Sequence, residues 1–129
     1  MSEPIYALDA SALLAMLQNE AGGDLVADKL MACMISSVNL SEVAAKLSER
    51  GLSDADVLAD LENLHVPVAS FDHGSALAAG VLRRVTRHLG LSFGDRACVG
   101  LAIERQLIVL TAERLWPQLD VGVKIELIR

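Results

Sequence analysis

Aromatic residues are scarce in this sequence. They make up 3% of its 129 residues, whereas hydrophobic residues as a whole make up 53%. The core must therefore be built from Leu, Val, Ile and Ala, and enough of these are present for a sizeable one. The length fits a single domain over residues 1–129.

Cysteine and histidine are also few. Cys33 and Cys98 are far apart in the sequence and form no CxxC motif, so we predict that both are buried and reduced, within apolar helical stretches. His65, His73 and His88 lack the spacing of metal ligands. This pattern disfavours a zinc site.

Long apolar runs and a basic N-terminal segment are absent. No apolar run approaches the roughly 20 residues that a membrane span needs. Asp9 interrupts the first apolar run, which argues against a signal peptide. We therefore expect a cytoplasmic protein with no membrane association.

Lysine and arginine are fewer than aspartate and glutamate, and the formal net charge is -6. General nucleic-acid binders normally carry a net basic surface, so this total argues against such a role. It does not exclude a metal-dependent nuclease, because a carboxylate-lined site adds negative charge that bound cations offset.

Short apolar runs alternate with segments of helical periodicity. Strands are predicted at residues 5–8, 34–37, 66–69, 107–110 and 123–127. Helices are predicted at residues 11–17, 24–33, 40–47 (ended by Gly51), 53–64, 72–88, 94–105 and 112–118. This alternation predicts an α/β fold with a parallel sheet covered on both faces.

Four acids stand near the ends of these elements. Asp9 ends the first strand, Glu42 lies in the first turn of the helix after the second strand, and Glu113 follows the fourth strand. Ligands of open parallel sheets bind beyond the carboxyl ends of the strands, where these three would lie. Asp95 opens a helix, and it reaches the same edge only if the two-helix crossover returns there.

Helix capping is the structural alternative for each acid. Asp9 is placed to cap the helix that follows it. Asn39 with Glu42, and Ser92 with Asp95, both fit a capping box, and Thr111 is placed to cap a helix with Glu113 in its first turn. For any single residue, capping is at least as good an explanation as function. Asp9 is the hardest to explain this way, because its context is apolar and a buried carboxylate is costly.

Carboxylates without His or Cys partners suit Mg²⁺ or Mn²⁺. Such an ion can activate water and stabilise an in-line phosphoryl displacement. Hydrolysis of a phosphodiester is the natural reaction, because no nucleophile with a base is evident. Ser11 has no base near it in sequence, so we expect its hydroxyl at most to support Asp9 or contact substrate.

Four segments in order resemble the motifs of the PIN-domain family, and specifically its VapC-like toxins. They are residues 5–15, 37–43, 91–98 and 109–116, and the third is the most specific. The resemblance implies a three-layer α/β/α sandwich with a five-stranded parallel sheet, and a Mg²⁺-dependent endoribonuclease. Asp9, Glu42 and Asp95 match the acidic triad of the family. Glu113 stands where the family usually has Asp, which puts its contact with the metal in doubt.

Partners are also implied by this resemblance. They are a homodimer partner and a small antitoxin, which would be held by the acidic helix pair over residues 41–64. Because aromatic residues are few, we expect RNA to be recognised through shape and backbone, as in a structured tRNA or ribosomal RNA.

Several further residues are candidates for substrate binding. Arg83, Arg84 and Arg87 form the one dense basic cluster and would contact phosphates, unless they are only a solvated helix end. Arg96 is placed either to reach substrate or to pair with an acid, and the pair is the better prediction. Thr111 and Ser11 complete the set.

Two other functions compete with the ribonuclease. The first is a catalytically weakened PIN-like module that binds RNA or protein, which Glu113 permits. The second is a haloacid-dehalogenase-like phosphatase, which also has an Asp after the first strand. That family needs a second Asp two residues later, where this chain has Ser11.

Overall fold

Five parallel strands form the centre of the molecule. The computed structural model describes residues 3–129. The strands are β1 (Tyr6–Leu8), β2 (Cys33–Ser36), β3 (Val68–Ala69), β4 (Ile108–Thr111) and β5 (Ile125–Leu127). Their order across the sheet is β3-β2-β1-β4-β5, and every pair is parallel. The predicted five-stranded parallel sheet is thus confirmed.

Helices cover both faces of this sheet. They are α1 (Ala10–Leu17), α2 (Gly23–Lys29), α3 (Ser37–Glu49), α4 (Asp54–Glu62), α5 (His73–Val81), α6 (Arg83–Thr86) and α7 (Phe93–Arg105). Short 3-10 turns follow at Leu30–Ala32, Arg87–Leu89 and Trp116–Gln118. None of the helices within residues 3–129 has both the length and the apolar character that crossing a membrane requires.

The strands separate two apolar clusters, one on each face. Ala7 and Val109 belong to the cluster that includes α7, whereas their neighbours Leu8 and Leu110 belong to the cluster with α1 and α3. All four are fully buried. Trp116 is buried in the first cluster. The sheet is therefore apolar on both faces, which explains why its strands appear in the sequence as continuous apolar runs.

The register of the strands aligns their carboxyl ends. Leu8 of β1 pairs with Ile35 on one side and with Leu110 on the other. The next residues, Asp9, Ser36 and Thr111, therefore stand level at one edge. The chain moves outward from β1 in one direction through β2 and β3, and in the other through β4 and β5, so the switch point lies between β1 and β4.

The predicted helix over residues 72–88 is wrong as a single element. Helix α5 ends at Val81, and α6 and a 3-10 turn replace the remainder. The buried Thr86 hydroxyl donates a 2.8 Å hydrogen bond to the Leu82 carbonyl. Such back-bonding by threonine competes with regular helical geometry and bends helices.

Three other local predictions are wrong. Residues 112–118 form a turn and one 3-10 turn rather than a helix, because Pro117 lacks the N–H that a longer helix would need. Helix α3 is capped by Ser36, not Asn39, so it begins earlier than predicted. The second helix ends at Lys29, and Cys33 lies in β2; like Cys98, it is buried and free.

Candidate active site

Asp9 is the most buried acid of the candidate site, with 3% of its surface exposed. It caps α1, because its Oδ1 accepts the N–H of Ala12 at 2.8 Å. The Ser11 hydroxyl donates to Oδ1 at 2.7 Å, and the Thr111 hydroxyl donates to Oδ2 at 2.6 Å. Burial raises the pKa of Asp9 to about 6, although these hydrogen bonds oppose the rise. Asp9 therefore both caps α1 and has a carboxyl group with a raised pKa.

Ser11 and Thr111 join the ends of β1 and β4. The Ser11 hydroxyl accepts the N–H of Ala112 at 3.0 Å while it donates to Asp9. Thr111 is fully buried and accepts the N–H of Glu113 while it donates to Asp9. Both hydroxyls thus hold the Asp9 carboxylate in place, which is the supporting role that the sequence suggested for Ser11.

Glu42 is held by Asn39, for which the sequence alone predicts only a capping role. The Asn39 amide donates to Oε1 of Glu42 at 2.9 Å and to the carbonyl of Gly94, also at 2.9 Å. A Cβ built on Gly94 would overlap the Glu42 carboxylate. Asn39 therefore ties α3 to the start of α7, and Gly94 provides the space that the Glu42 carboxylate occupies. The signal in the sequence was the spacing of three between Asn39 and Glu42, which places both on one helix face.

Asp95 closes the predicted capping box at the start of α7. Its Oδ2 accepts the N–H of Ser92 at 2.9 Å, and its own N–H donates to the Ser92 hydroxyl at 3.2 Å. Oδ1 of Asp95 has no hydrogen-bond donor among the residues that the structure describes. The capping box therefore fixes the side chain and leaves one oxygen for a ligand.

The Glu42 carboxylate lies against Gly94, the residue before Asp95, so α3 and the start of α7 bring these two acids close together. Burial raises the pKa of Cys98 well above its ordinary value, and the negative charges of Asp9, Asp95 and Glu42 raise it further. Asp95 also raises the pKa of Asp9. The crossover through α5, α6 and α7 thus returns Asp95 to the edge where β1 ends.

The oxygen donors of these acids are of the type that a hard divalent cation takes, but such an ion would have to be held largely through water. Within residues 3–129, no three or more His, Cys, Asp or Glu side chains are grouped so that they could hold a metal ion. Mg²⁺ usually keeps several waters and takes only one or two carboxylates directly. None of the ion pairs in this part of the chain involves the buried Asp9. The buried Asn39 Oδ1 also lacks a hydrogen-bond partner there, which favours an additional polar ligand beside Glu42.

The other predicted residues lie around this centre or away from it. Glu113 is exposed at the end of β4. Arg96 donates to the carbonyl of Ala79 at 3.0 Å and makes no ion pair within residues 3–129, so the predicted pair with an acid is wrong. It ties α7 to α5 instead. The exposed Arg83, Arg84 and Arg87 line a separate cleft of about 480 Å³ with Gly80 and Val81.

The fold and the acids together define an α/β protein with a carboxylate site at the switch point of its parallel sheet. The sequence matches the PIN domain family over residues 6–121. The chain therefore belongs to the PIN-domain family. No curated protein sequence is significantly similar to it.

Solved structures share this fold over nearly their whole length. A chain of the DNA-bound VapBC from Salmonella typhimurium is 22% identical, with a TM-score of 0.76, and the match covers 98% of this chain and 99% of that chain. A chain of VapBC2 from Rickettsia felis, bound to a DNA fragment from its promoter, is 17% identical, with a TM-score of 0.73. That match covers 95% of this chain and 98% of that chain. A chain of VapBC-5 from Mycobacterium tuberculosis is 23% identical, with a TM-score of 0.62, and the match covers 98% of this chain and 99% of that chain.

Proposed function

We propose that this chain is a divalent-metal-dependent endoribonuclease that uses Mg²⁺ or Mn²⁺ and acts as the toxin of a toxin–antitoxin pair. The Glu42 carboxylate beside Gly94 and Asp95, together with the buried Asp9 at the carboxyl edge of the sheet of a PIN fold, carries this proposal. The similarity to VapBC structures supports the toxin assignment. The reaction is the hydrolysis of an RNA phosphodiester by water, because Ser11 is engaged by Asp9 and Ala112.

The side chains of the site are fixed before substrate arrives. Ser11 and Thr111 hold both oxygens of Asp9, Asn39 holds Glu42, and the N–H of Ser92 holds Asp95. When bound, the cation would offset the charge of the phosphate and lower the pKa of the attacking water. Groups that are already oriented need little reorganisation during the reaction, which is the main source of electrostatic catalysis.

The arginine cleft is the proposed contact for the RNA backbone. Arg83, Arg84 and Arg87 are exposed around it, and such guanidinium groups bind phosphates well. A structured tRNA or ribosomal RNA would present several phosphates to this surface. Cleavage should therefore weaken with increasing salt, and replacement of the three arginines should reduce that salt dependence.

The groove between α3 and α4 is the proposed antitoxin surface. It has a volume of about 480 Å³ and is lined by Ser41, Ala44, Ala45, Ser48, Asp54, Val57 and Leu58. The exposed acids Asp54, Asp56, Asp60 and Glu62 stand on α4. A basic amphipathic segment of a small antitoxin matches an apolar floor with an acidic border. We also propose a homodimer in the cytoplasm as the working form.

The central test compares two acid-to-amide variants. Purified wild-type protein with Mg²⁺ or Mn²⁺ should cut tRNA or ribosomal RNA at defined positions, and Asp95→Asn should abolish cutting while the capping box is kept. Asp28→Asn removes an exposed charge from α2 and should leave cutting unchanged. Identical RNA products from wild type and Asp95→Asn would refute the proposal.

A binding module that has lost catalysis is the second candidate. The exposed Glu113 in place of the usual Asp favours it, and so does the finding that no three His, Cys, Asp or Glu side chains of the described residues are grouped to hold a metal ion. Titration with Mn²⁺ separates the two functions. A folded protein that binds RNA or antitoxin but no Mn²⁺ would be the binding module.

A further inference from the structure

The two phenylalanines of this chain form a contact beside the acids. The rings of Phe71 and Phe93 meet edge to face, with centroids 5.4 Å apart and planes at 87°. Phe71 is half-buried, whereas Phe93 is 52% exposed. The pair therefore holds one aromatic ring rigidly at the surface instead of hiding it in the core.

Both rings are anchored to the elements that carry the acids. Phe93 is the first residue of α7, between the capping residue Ser92 and Gly94, whose Cα borders the Glu42 carboxylate. The N–H of Phe71 donates to the hydroxyl of Ser37, the first residue of α3, at 3.0 Å. Phe71 follows β3, so the pair lies on the β3 side of the acid cluster.

The remaining aromatic residues do not offer a ring in this way. Trp116 is buried in the core. Tyr6 lies in β1 and its hydroxyl accepts a hydrogen bond from Lys29. The exposed ring next to the acids is thus a local feature of this edge, and not a consequence of many aromatic residues on the surface.

We infer that Phe93 stacks on an unpaired nucleobase next to the phosphodiester that the acids address, with Phe71 as the positioning residue behind it. This inference rests on the proposed ribonuclease function and adds to it a requirement for an unstacked nucleotide. Every base has an aromatic face, so one rigid ring beside the reacting phosphate orients a nucleotide without reading its sequence. A structured RNA meets the requirement through an unpaired loop, whereas a continuous duplex does not.

The test measures RNA binding in the Asp95→Asn background, where cleavage is blocked. The probes are fluorescein-labelled single strands of oligo(A), oligo(C) and oligo(U), and an RNA duplex of equal length. Phe93→Leu should weaken binding to the single strands about tenfold or more, as expected for loss of one base-stacking contact. Phe93→Trp should bind them at least as tightly as the parent, and binding to the duplex should not change in either variant.

Two controls separate stacking from damage to the site. Met31→Ala removes a fully exposed apolar side chain from a distant 3-10 turn and should bind RNA like the parent. In an otherwise wild-type chain, Phe93→Leu should keep the Mn²⁺ affinity and the melting temperature of wild type, because the acids and the helix cap remain.

The outcomes distinguish this inference from the proposed function. If wild type cuts RNA and Phe93→Leu binds and cuts single strands equally well, stacking is overturned and the ribonuclease stands. If Phe93→Leu weakens only the complex with a co-purified antitoxin, the ring is a protein contact and stacking is again overturned. If wild type neither cuts RNA nor binds any probe, both are refuted.

Discussion

The hydroxyl of Thr111 lies 2.6 Å from Oδ2 of Asp9 and donates a hydrogen bond to it. Both residues are buried, and they stand level at the ends of the adjacent strands β4 and β1. The same hydroxyl accepts the N–H of Glu113. One threonine thus links the turn after β4 to the central acid, across the switch point of the sheet.

Thr111→Val should weaken the site while keeping the shape of the side chain. The hydrogen bond lowers the pKa of Asp9, so its loss should raise that pKa further and reduce the affinity for Mn²⁺ at neutral pH. A lost buried hydrogen bond should also cost roughly 1–3 kcal/mol of unfolding free energy. Calorimetric Mn²⁺ titration and urea denaturation measure the two effects. Thr111→Ser keeps the hydroxyl and should retain most of the affinity; equal affinity in Thr111→Val would argue against this role.

Asp9→Asn should remove a pH dependence from the stability of the metal-free protein. The pKa of Asp9 is raised from 3.8 to about 6 on folding, so the folded state holds this proton more tightly than the unfolded chain. The charge therefore costs stability progressively as pH rises from about 4 to 6, and the full cost remains above that range. The stability of the variant relative to wild type should therefore rise by roughly 1–3 kcal/mol between about pH 4 and about pH 8.

Mn²⁺ should affect the thermal stability of these two proteins differently. If Asp9 is a metal ligand as proposed, the ion should bind its ionised form and raise the Tm of wild type at about pH 8, but should not raise the Tm of Asp9→Asn. Thermal denaturation in chelator and in Mn²⁺, at both pH values, provides the measurement. A wild-type Tm that does not respond to Mn²⁺ at either pH would contradict the assignment of Asp9 as a ligand.

Gly94→Ala should displace Glu42 without unfolding α7. The new Cβ would occupy the space of the Glu42 carboxylate, so that carboxylate must leave its position beside Asn39. Loss of such orientation typically costs about 10- to 100-fold in metal affinity or activity. Gly100→Ala, in the same helix, meets only ordinary contacts beyond 3.5 Å and serves as the matched control. The measurements are Mn²⁺ affinity and helical content by circular dichroism; unchanged affinity in Gly94→Ala would show that Glu42 is dispensable.

The sequence predicts the sheet well because local patterns encode it. Apolar runs bounded by polar residues set the strands, and Asp9 is conspicuous as a charge that ends one of them. Asn39 was harder to interpret, because its partner Gly94 is 55 residues away and only the folded chain brings them together. The end of the regular helix near Thr86 is not predictable for a similar reason. The hydrogen bond from its hydroxyl to the Leu82 carbonyl depends on the buried side chain and does not change the apolar periodicity of the sequence.

Glu113 should contribute less than the three converging acids. Its side chain is exposed, and the contact that orders its turn is made by its backbone N–H to Thr111, which any residue at this position retains. Glu113→Gln should therefore reduce RNA cleavage by less than about tenfold, whereas Asp9→Asn should reduce it by at least about a hundredfold, as expected for loss of an oriented metal ligand. Glu113→Asp shortens the arm to the length usual in this family and should equal or exceed wild type. The cleavage rates of the three variants, measured at saturating Mn²⁺, test this ranking. If Glu113→Gln were as inactive as Asp9→Asn, the exposed glutamate would have to move inward when substrate binds and act as a full member of the site.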